Sequence, residues 1–100
     1  MVHKFYAQRV KSEHGNFDST AEYRRYLDLL ALEKAGKIAG LRRQVPYDLP
    51  VVLRYKADFV YTDLTTGREV VEDKKGFKTR EYERKKRLMK KIHNIEIYET

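Results

Sequence analysis

From Arg54 to Tyr61 the chain alternates in a way that only a strand satisfies. Tyr55, Ala57, Phe59 and Tyr61 fall on one face, and Arg54, Lys56, Asp58 and Val60 fall on the other. A period of two is the mark of a half-buried β-strand, because successive side chains leave the backbone on opposite sides. Thr65-Thr66-Gly67 reads as a turn, and Arg68–Lys75 is β-prone at Val70-Val71 until Gly76 ends it. The two runs are therefore predicted to form a hairpin across residues 63–67.

The segments on either side have to cover that hairpin. Upstream, Tyr23, Tyr26, Leu27 and Leu30 recur at helical spacing, and Lys34-Ala35-Gly36 supplies a cationic last turn and a terminal glycine, which predicts a helix over 19–35. Leu41–Leu49 holds one strand, marked by Pro46 and Pro50 as an edge or an irregular one. Before the helix, residues 1–17 are polar and aromatic by turns, with Gly15-Asn16 as a hairpin turn or loop. Downstream, Thr79–Ile92 reads as a second helix with Thr79 as N-cap and a thin apolar stripe of Tyr82, Leu88, Met89 and Ile92. His93-Asn94 stops it, and Ile95 and Ile97 read as a last short strand. The order predicts an α/β domain: a small mixed sheet with helices packed on it, whose last strand runs parallel to an earlier one after the helical crossover.

Composition narrows the chemistry. One hundred residues predict a single domain over 1–100, and the absence of Cys removes disulfide frameworks, Cys zinc sites and thiol catalysis together. The longest uninterrupted apolar run is Leu29–Leu32, against about 20 residues for a membrane span. With no signal-like apolar stretch at Met1–Phe5, a cytoplasmic protein without membrane partners is the expectation. The formal charge is +7, and it is concentrated: residues 74–91 carry ten basic and two acidic side chains, whereas the remaining 82 residues carry 12 basic and 13 acidic. Like charges at i, i+4, such as Lys86 and Lys90, oppose a helix unless an anion offsets them. The basic segment is thus predicted to hold nucleic acid, through Lys74, Lys78, Thr79, Arg80, Arg84, Lys85 and Arg87.

Three acids fall on elements able to converge: Glu22 in the first turn of the first helix, Asp58 in the alternating strand and Asp73 in the next. Two residues past Asp73, on the same strand face, stands Lys75. Carboxylates that hold one or two divalent ions, beside a cation that stabilises charge on phosphate, are what metal-assisted phosphodiester hydrolysis requires. Lys75 then serves as an electrostatic clamp or as a proton acceptor.

The segments Ala57-Asp58-Phe59, Val70-Val71-Glu72-Asp73-Lys74-Lys75-Gly76 and Lys78-Thr79 resemble the PD-(D/E)XK nuclease core. More narrowly, with Phe17-Asp18-Ser19-Thr20-Ala21-Glu22-Tyr23-Arg24-Arg25-Tyr26 as the opening helix motif, residues 4–98 resemble the phage-borne family catalogued as domain of unknown function 1064. The resemblance implies a restriction-endonuclease-like core (α-β-β-β-α-β) and a Mg²⁺-dependent endonuclease, with Mn²⁺ as a substitute, that cuts Holliday junctions or other branched DNA, often as a homodimer. For a phage protein the compartment is the host bacterial cytoplasm. Carried over by position, Asp58, Asp73 and Glu22 are metal ligands, Lys75 is the motif lysine, and Gln44 in Gln44-Val45-Pro46-Tyr47 is a glutamine near the site. The sequence departs from the pattern at Ala57, where the superfamily's proline stands, and at Lys74, usually aliphatic. Lys74 also opens a second register, Glu72 with Lys74, beside Asp73 with Lys75.

Each candidate has a plainer reading. Ser19-Thr20-Ala21-Glu22 is a capping box, in which the glutamate only reaches back to the Ser19 amide. Asp58, amid Tyr55, Ala57, Phe59 and Val60, is costly to bury without a partner, which favours a ligand role. His3, His14 and His93 lack metal-site spacing and read as surface residues, while Tyr6 or Tyr82 is able to stack on an unpaired base. The alternative to the enzyme is a non-catalytic nucleic-acid-binding protein that keeps the nuclease fold.

Overall fold

The computed structural model describes residues 9–50 and 53–100. A small hairpin comes first, β1 (Val10–Ser12) and β2 (Gly15–Phe17), followed by helix α1 (Thr20–Lys34). Three antiparallel strands follow, β3 (Ile38–Leu49), β4 (Leu53–Asp63) and β5 (Arg68–Asp73), then helix α2 (Arg80–His93) and the short strand β6 (Tyr98–Glu99). In the main sheet the order is β3-β4-β5-β6, with β6 parallel to β5. This is the mixed α/β arrangement predicted, including the parallel strand after the crossover.

The boundaries moved for local reasons. In the first hairpin the turn is Glu13-His14 rather than Gly15-Asn16, and Ser12 Oγ fastens it by donating to the Gly15 carbonyl and accepting from the His14 N–H. Strand β3 begins at Ile38, three residues early, because a register shift between Ala39 and Arg42 absorbs Gly40 at φ 66°. As an edge strand β3 tolerates Pro46, whose missing donor has no second neighbour to serve. Strand β5 stops at Asp73, and the last strand starts at Tyr98; Ile95 and Ile97 instead pack into the core just before it.

Both helices form where predicted, but α1 presents a different face. Its buried positions are Glu22 and Leu29, with Tyr26 packed beside them, whereas Leu27 is exposed. An apolar stripe drawn through Tyr23, Tyr26, Leu27 and Leu30 misses this because a buried member is an acid. In α2, Tyr82 and Met89 are buried and Leu88 packs against them, while Ile92 is exposed.

The alternation of β4 breaks at one residue. Tyr55 and Ala57 pack with Val60, Val71, Tyr82 and Met89 under α2, yet Phe59 and Tyr61 pack with Leu29 and Ile38 under α1. In an even strand, Ala57 and Phe59 would share a face. The reversal falls at Asp58, and across from it Gln44 takes φ 53° in β3, between the pairs Arg43↔Phe59 and Val45↔Ala57. The strand thus serves two cores, one per face, and changes over at Asp58, opposite Gln44.

Candidate active site

Adjacent residues at the end of β5 point to opposite faces. Glu72 lies under α1, where its carboxylate receives two hydrogen bonds from Arg25 (2.6 and 3.0 Å), one from the Tyr61 hydroxyl (2.7 Å) and one from Thr100 Oγ1 (3.1 Å). Both oxygens are occupied, so the buried charge is matched in place. Asp73 lies on the other face. Its Oδ2 accepts from the buried Tyr55 hydroxyl at 2.6 Å and is 3.4 Å from Lys75 Nζ, while its Oδ1 is buried without a hydrogen-bond partner. Of the two registers, Asp73 with Lys75 faces Asp58, and Glu72 with Lys74 does not.

Asp58 stands at the strand reversal. Its Oδ2 accepts from the Lys74 N–H at 2.9 Å, and its Oδ1 accepts from the Gln44 side-chain amide at 3.2 Å. The same amide nitrogen donates to Glu22 Oε2, also at 3.2 Å, so Gln44 bridges the helix acid to the strand acid. A left-handed backbone is uncommon for a residue with a side chain, and here it carries the group that spans Glu22 and Asp58. The capping box forms only in half: Ser19 Oγ accepts from the Glu22 N–H at 3.0 Å, but the Glu22 carboxylate turns to Gln44 and to Arg43, 3.6 Å away. Arg43 is held in turn by its stack over Phe17, 3.6 Å from guanidinium to ring centre.

The carboxyl groups pay for their closeness. Burial, and then the neighbouring charges of Asp58 and Asp18, push Glu22 up to about 7, with Arg43 opposing. Asp73 is pushed up to about 8 by burial first and by the facing Asp58 carboxyl second, with Tyr55 and Lys75 opposing. Two carboxylates that face each other in a dry site must share a proton or a cation. Among the described residues no three His, Asp or Glu side chains converge closely enough to hold a metal ion by themselves. The donor set available is Asp58 and Asp73, with Glu22 one amide away. Hard oxygens of this kind, one of them orphaned, suit Mg²⁺ or Mn²⁺ in chemistry.

The predicted nucleic-acid residues divide. Lys78 and Lys86 are both paired with Glu99 (3.0 and 3.2 Å), Lys85 with Glu81 (3.0 Å) and Lys90 with Glu96 (3.3 Å). Arg80, Arg84 and Arg87 are exposed and have no ion pair among the described residues. Thr79 caps α2, accepting from the Tyr82 N–H at 3.0 Å. Tyr82 does not present its ring to a base: it is buried, donates its hydroxyl to Glu99 and carries Lys75 Nζ 4.4 Å from its ring centre. His14 and His93 are exposed, as predicted, and His3 and Tyr6 lie outside the described residues.

Four residues at or beside the site were absent from the sequence-based set. Arg43 salt-bridges Glu22; Arg54 and Lys56, on the polar face of β4, line a groove of about 530 Å³ with Lys75, Thr79 and Lys85. Their signal was present in the alternation itself, since both share the face first assigned to Asp58. The fourth, Tyr55, alternates in the sequence with the core positions of β4, yet its hydroxyl holds Asp73.

No described helix is long and apolar enough to cross a membrane. The family model described as "Protein of unknown function (DUF1064)" matches residues 2–98. No curated protein and no solved structure matches the chain.

Proposed function

Because the chain belongs to the DUF1064 family, with nearly its whole length matched, we propose that it is a Mg²⁺-dependent, structure-specific DNA endonuclease of the PD-(D/E)XK type, hydrolysing phosphodiester bonds in Holliday junctions or other branched DNA. The observation that carries the reading is the orphaned Oδ1 of Asp73, buried beside Asp58 with Lys75 3.4 Å from the other oxygen. Asp58 and Asp73 would hold the ion, with Glu22 behind Gln44. When bound, the ion supplies a polarised phosphoryl oxygen and a more acidic water.

The chain's own groups do the rest. Tyr55 fixes the Asp73 carboxylate by donating to Oδ2, and the Lys74 N–H together with the Gln44 amide fixes both oxygens of Asp58. Lys75, held against the face of Tyr82, offsets negative charge on a phosphate lying above Asp73. The exposed arginines of α2 bind the polyanion through their charge. Two symmetric cuts in a junction require two such sites, which a homodimer supplies. For a phage-encoded protein the working compartment would be the host cytoplasm.

The test is cleavage of four-way junctions, flaps and linear duplexes with Mg²⁺ or Mn²⁺, comparing the wild type with Asp58→Asn and Lys75→Ala. Junction cutting by the wild type alone is the expected result. If no substrate is cut, or both variants cut as the wild type does, the reading fails. A second reading, a DNA-binding protein of the same fold without catalysis, draws on the lack of three converging ligands among the described residues. Divalent-ion titration separates the two: a saturable site lost in Asp73→Asn belongs only to the enzyme.

A further inference from the structure

The charge of α2 is not equally available around the helix. Toward β6, Glu99 takes both Lys78 and Lys86 as well as the Tyr82 hydroxyl, and Glu96 takes Lys90, which leaves Arg87 as the one cation lining that side without an ion pair among the described residues. Toward β4 the helix borders the open groove, whose wall on the sheet side carries Arg54 and Lys56 and whose wall on the helix side carries Lys75, Thr79 and Lys85. Glu81, paired with Lys85, is the single acid of that lining. Arg54 is exposed and only loosely paired with Asp48 at 3.4 Å, and Lys56 has no ion pair among the described residues.

Lys56 also lines a second, smaller cavity of about 250 Å³, with Glu22, Asp18, Arg43 and Gln44. One cation thus stands at the border between the acid site and the groove. We infer that the β4–α2 groove, with Arg54 and Lys56 as its sheet-side cations, is the track along which a DNA sugar-phosphate backbone enters the site, and that the outer end of α2 lies off that track. The inference rests on the nuclease reading for its ligand. It differs from the expectation that the basic helix alone grips the DNA: half of the grip is in a strand, outside the 74–91 segment.

Each phosphate neutralised by a cation contributes about 0.9 to the slope of log affinity against log salt on duplex DNA. Anisotropy of a labelled four-way junction and a labelled linear duplex, in EDTA so that nothing is cut, reads that slope for the wild type and three double variants. Arg54→Gln/Lys56→Gln is expected to lose about 2 from the slope and at least about 10-fold in affinity at moderate salt, while Lys90→Gln/Lys91→Gln changes affinity by less than about 3-fold. The charge-keeping swap Arg54→Lys/Lys56→Arg should bind as the wild type does. Equal losses in the two Gln doubles, a larger loss in the Lys90/Lys91 double, or no DNA binding at all overturns the track. Cleavage in Mg²⁺ is scored separately: a wild type that binds through Arg54 and Lys56 but never cuts leaves the track standing and removes the nuclease reading. A wild type that cuts while the Arg54/Lys56 double binds normally does the reverse.

Discussion

Glu72 and Asp73 are neighbours in one strand, both buried, both acids, and their surroundings make them opposites. Glu72 meets a guanidinium, a phenol and a hydroxyl, so both of its oxygens are satisfied and its charge is matched. Asp73 meets one phenol, a lysine at 3.4 Å and another carboxylate, and one of its oxygens has no partner. Burial of a carboxylate therefore does not mark a site. Incomplete compensation does, because a group kept in a costly state is retained for something that the fold by itself does not need.

Substitution at the two positions should separate function from stability. Asp73→Asn replaces a carboxyl whose ionisation the fold opposes, so its melting temperature should equal or exceed that of the wild type, while cleavage falls by more than about 100-fold, beyond what loss of an outer partner of a metal ligand gives. Arg25→Ala strips Glu72 of its bidentate partner and leaves a buried carboxylate behind. That costs about 3–5 kcal/mol, which lowers the melting temperature by more than about 10 °C in a domain of this size. Thermal melts of the two variants beside a junction-cleavage assay check both. If Asp73→Asn melts far below the wild type, the contrast between the neighbours is wrong.

The same pair shows what the sequence could and could not yield. The strands, both helices and the parallel last strand follow from period, caps and turn residues, signals local to a few positions. So does the Asp73/Lys75 spacing. The choice between Asp73 and Glu72 does not, because an acid-x-Lys pattern fits both and the decision lies with Arg25, 47 residues away. The reversal of β4 at Asp58 is equally hidden: Tyr55, Ala57, Phe59 and Tyr61 alternate without a break in the sequence, and only the two separate cores reveal that they part company. The buried face of α1 is hidden for a related reason, since Glu22 and Arg25 point inward to partners that local hydropathy does not register.

The two phenols give a finer version of the contrast. Tyr61→Phe removes a donor from Glu72, and Tyr55→Phe removes one from Asp73. Each loses a hydrogen bond to a buried carboxyl, about 1–3 kcal/mol, and urea unfolding should rank them as similar. Divalent-ion affinity should not: Tyr55→Phe weakens Mn²⁺ binding by about 10–100-fold as an outer-partner loss, and Tyr61→Phe leaves it alone. Equal Mn²⁺ affinities in the two variants would remove Tyr55 from the site.

The smallest expected effect concerns Glu99, the register partner of Asp73 in β6. Here compensation is more than complete. The Tyr82 hydroxyl, followed by Lys78 and Lys86, holds the Glu99 carboxyl down at about 2, against an ordinary 4.5. A depressed carboxyl stabilises the fold fully above the unfolded value and loses that contribution as the pH falls toward the folded one. Unfolding midpoints of the wild type and Glu99→Gln should therefore differ at pH 6 and above, and the gap should close between about pH 4.5 and about pH 2. High salt should shrink the gap too, since Lys78 and Lys86 are partly exposed. A gap that stays constant through that pH range would mean that the ionised carboxylate is not what Lys78, Lys86 and Tyr82 hold. The basic helix would then keep those lysines for DNA after all.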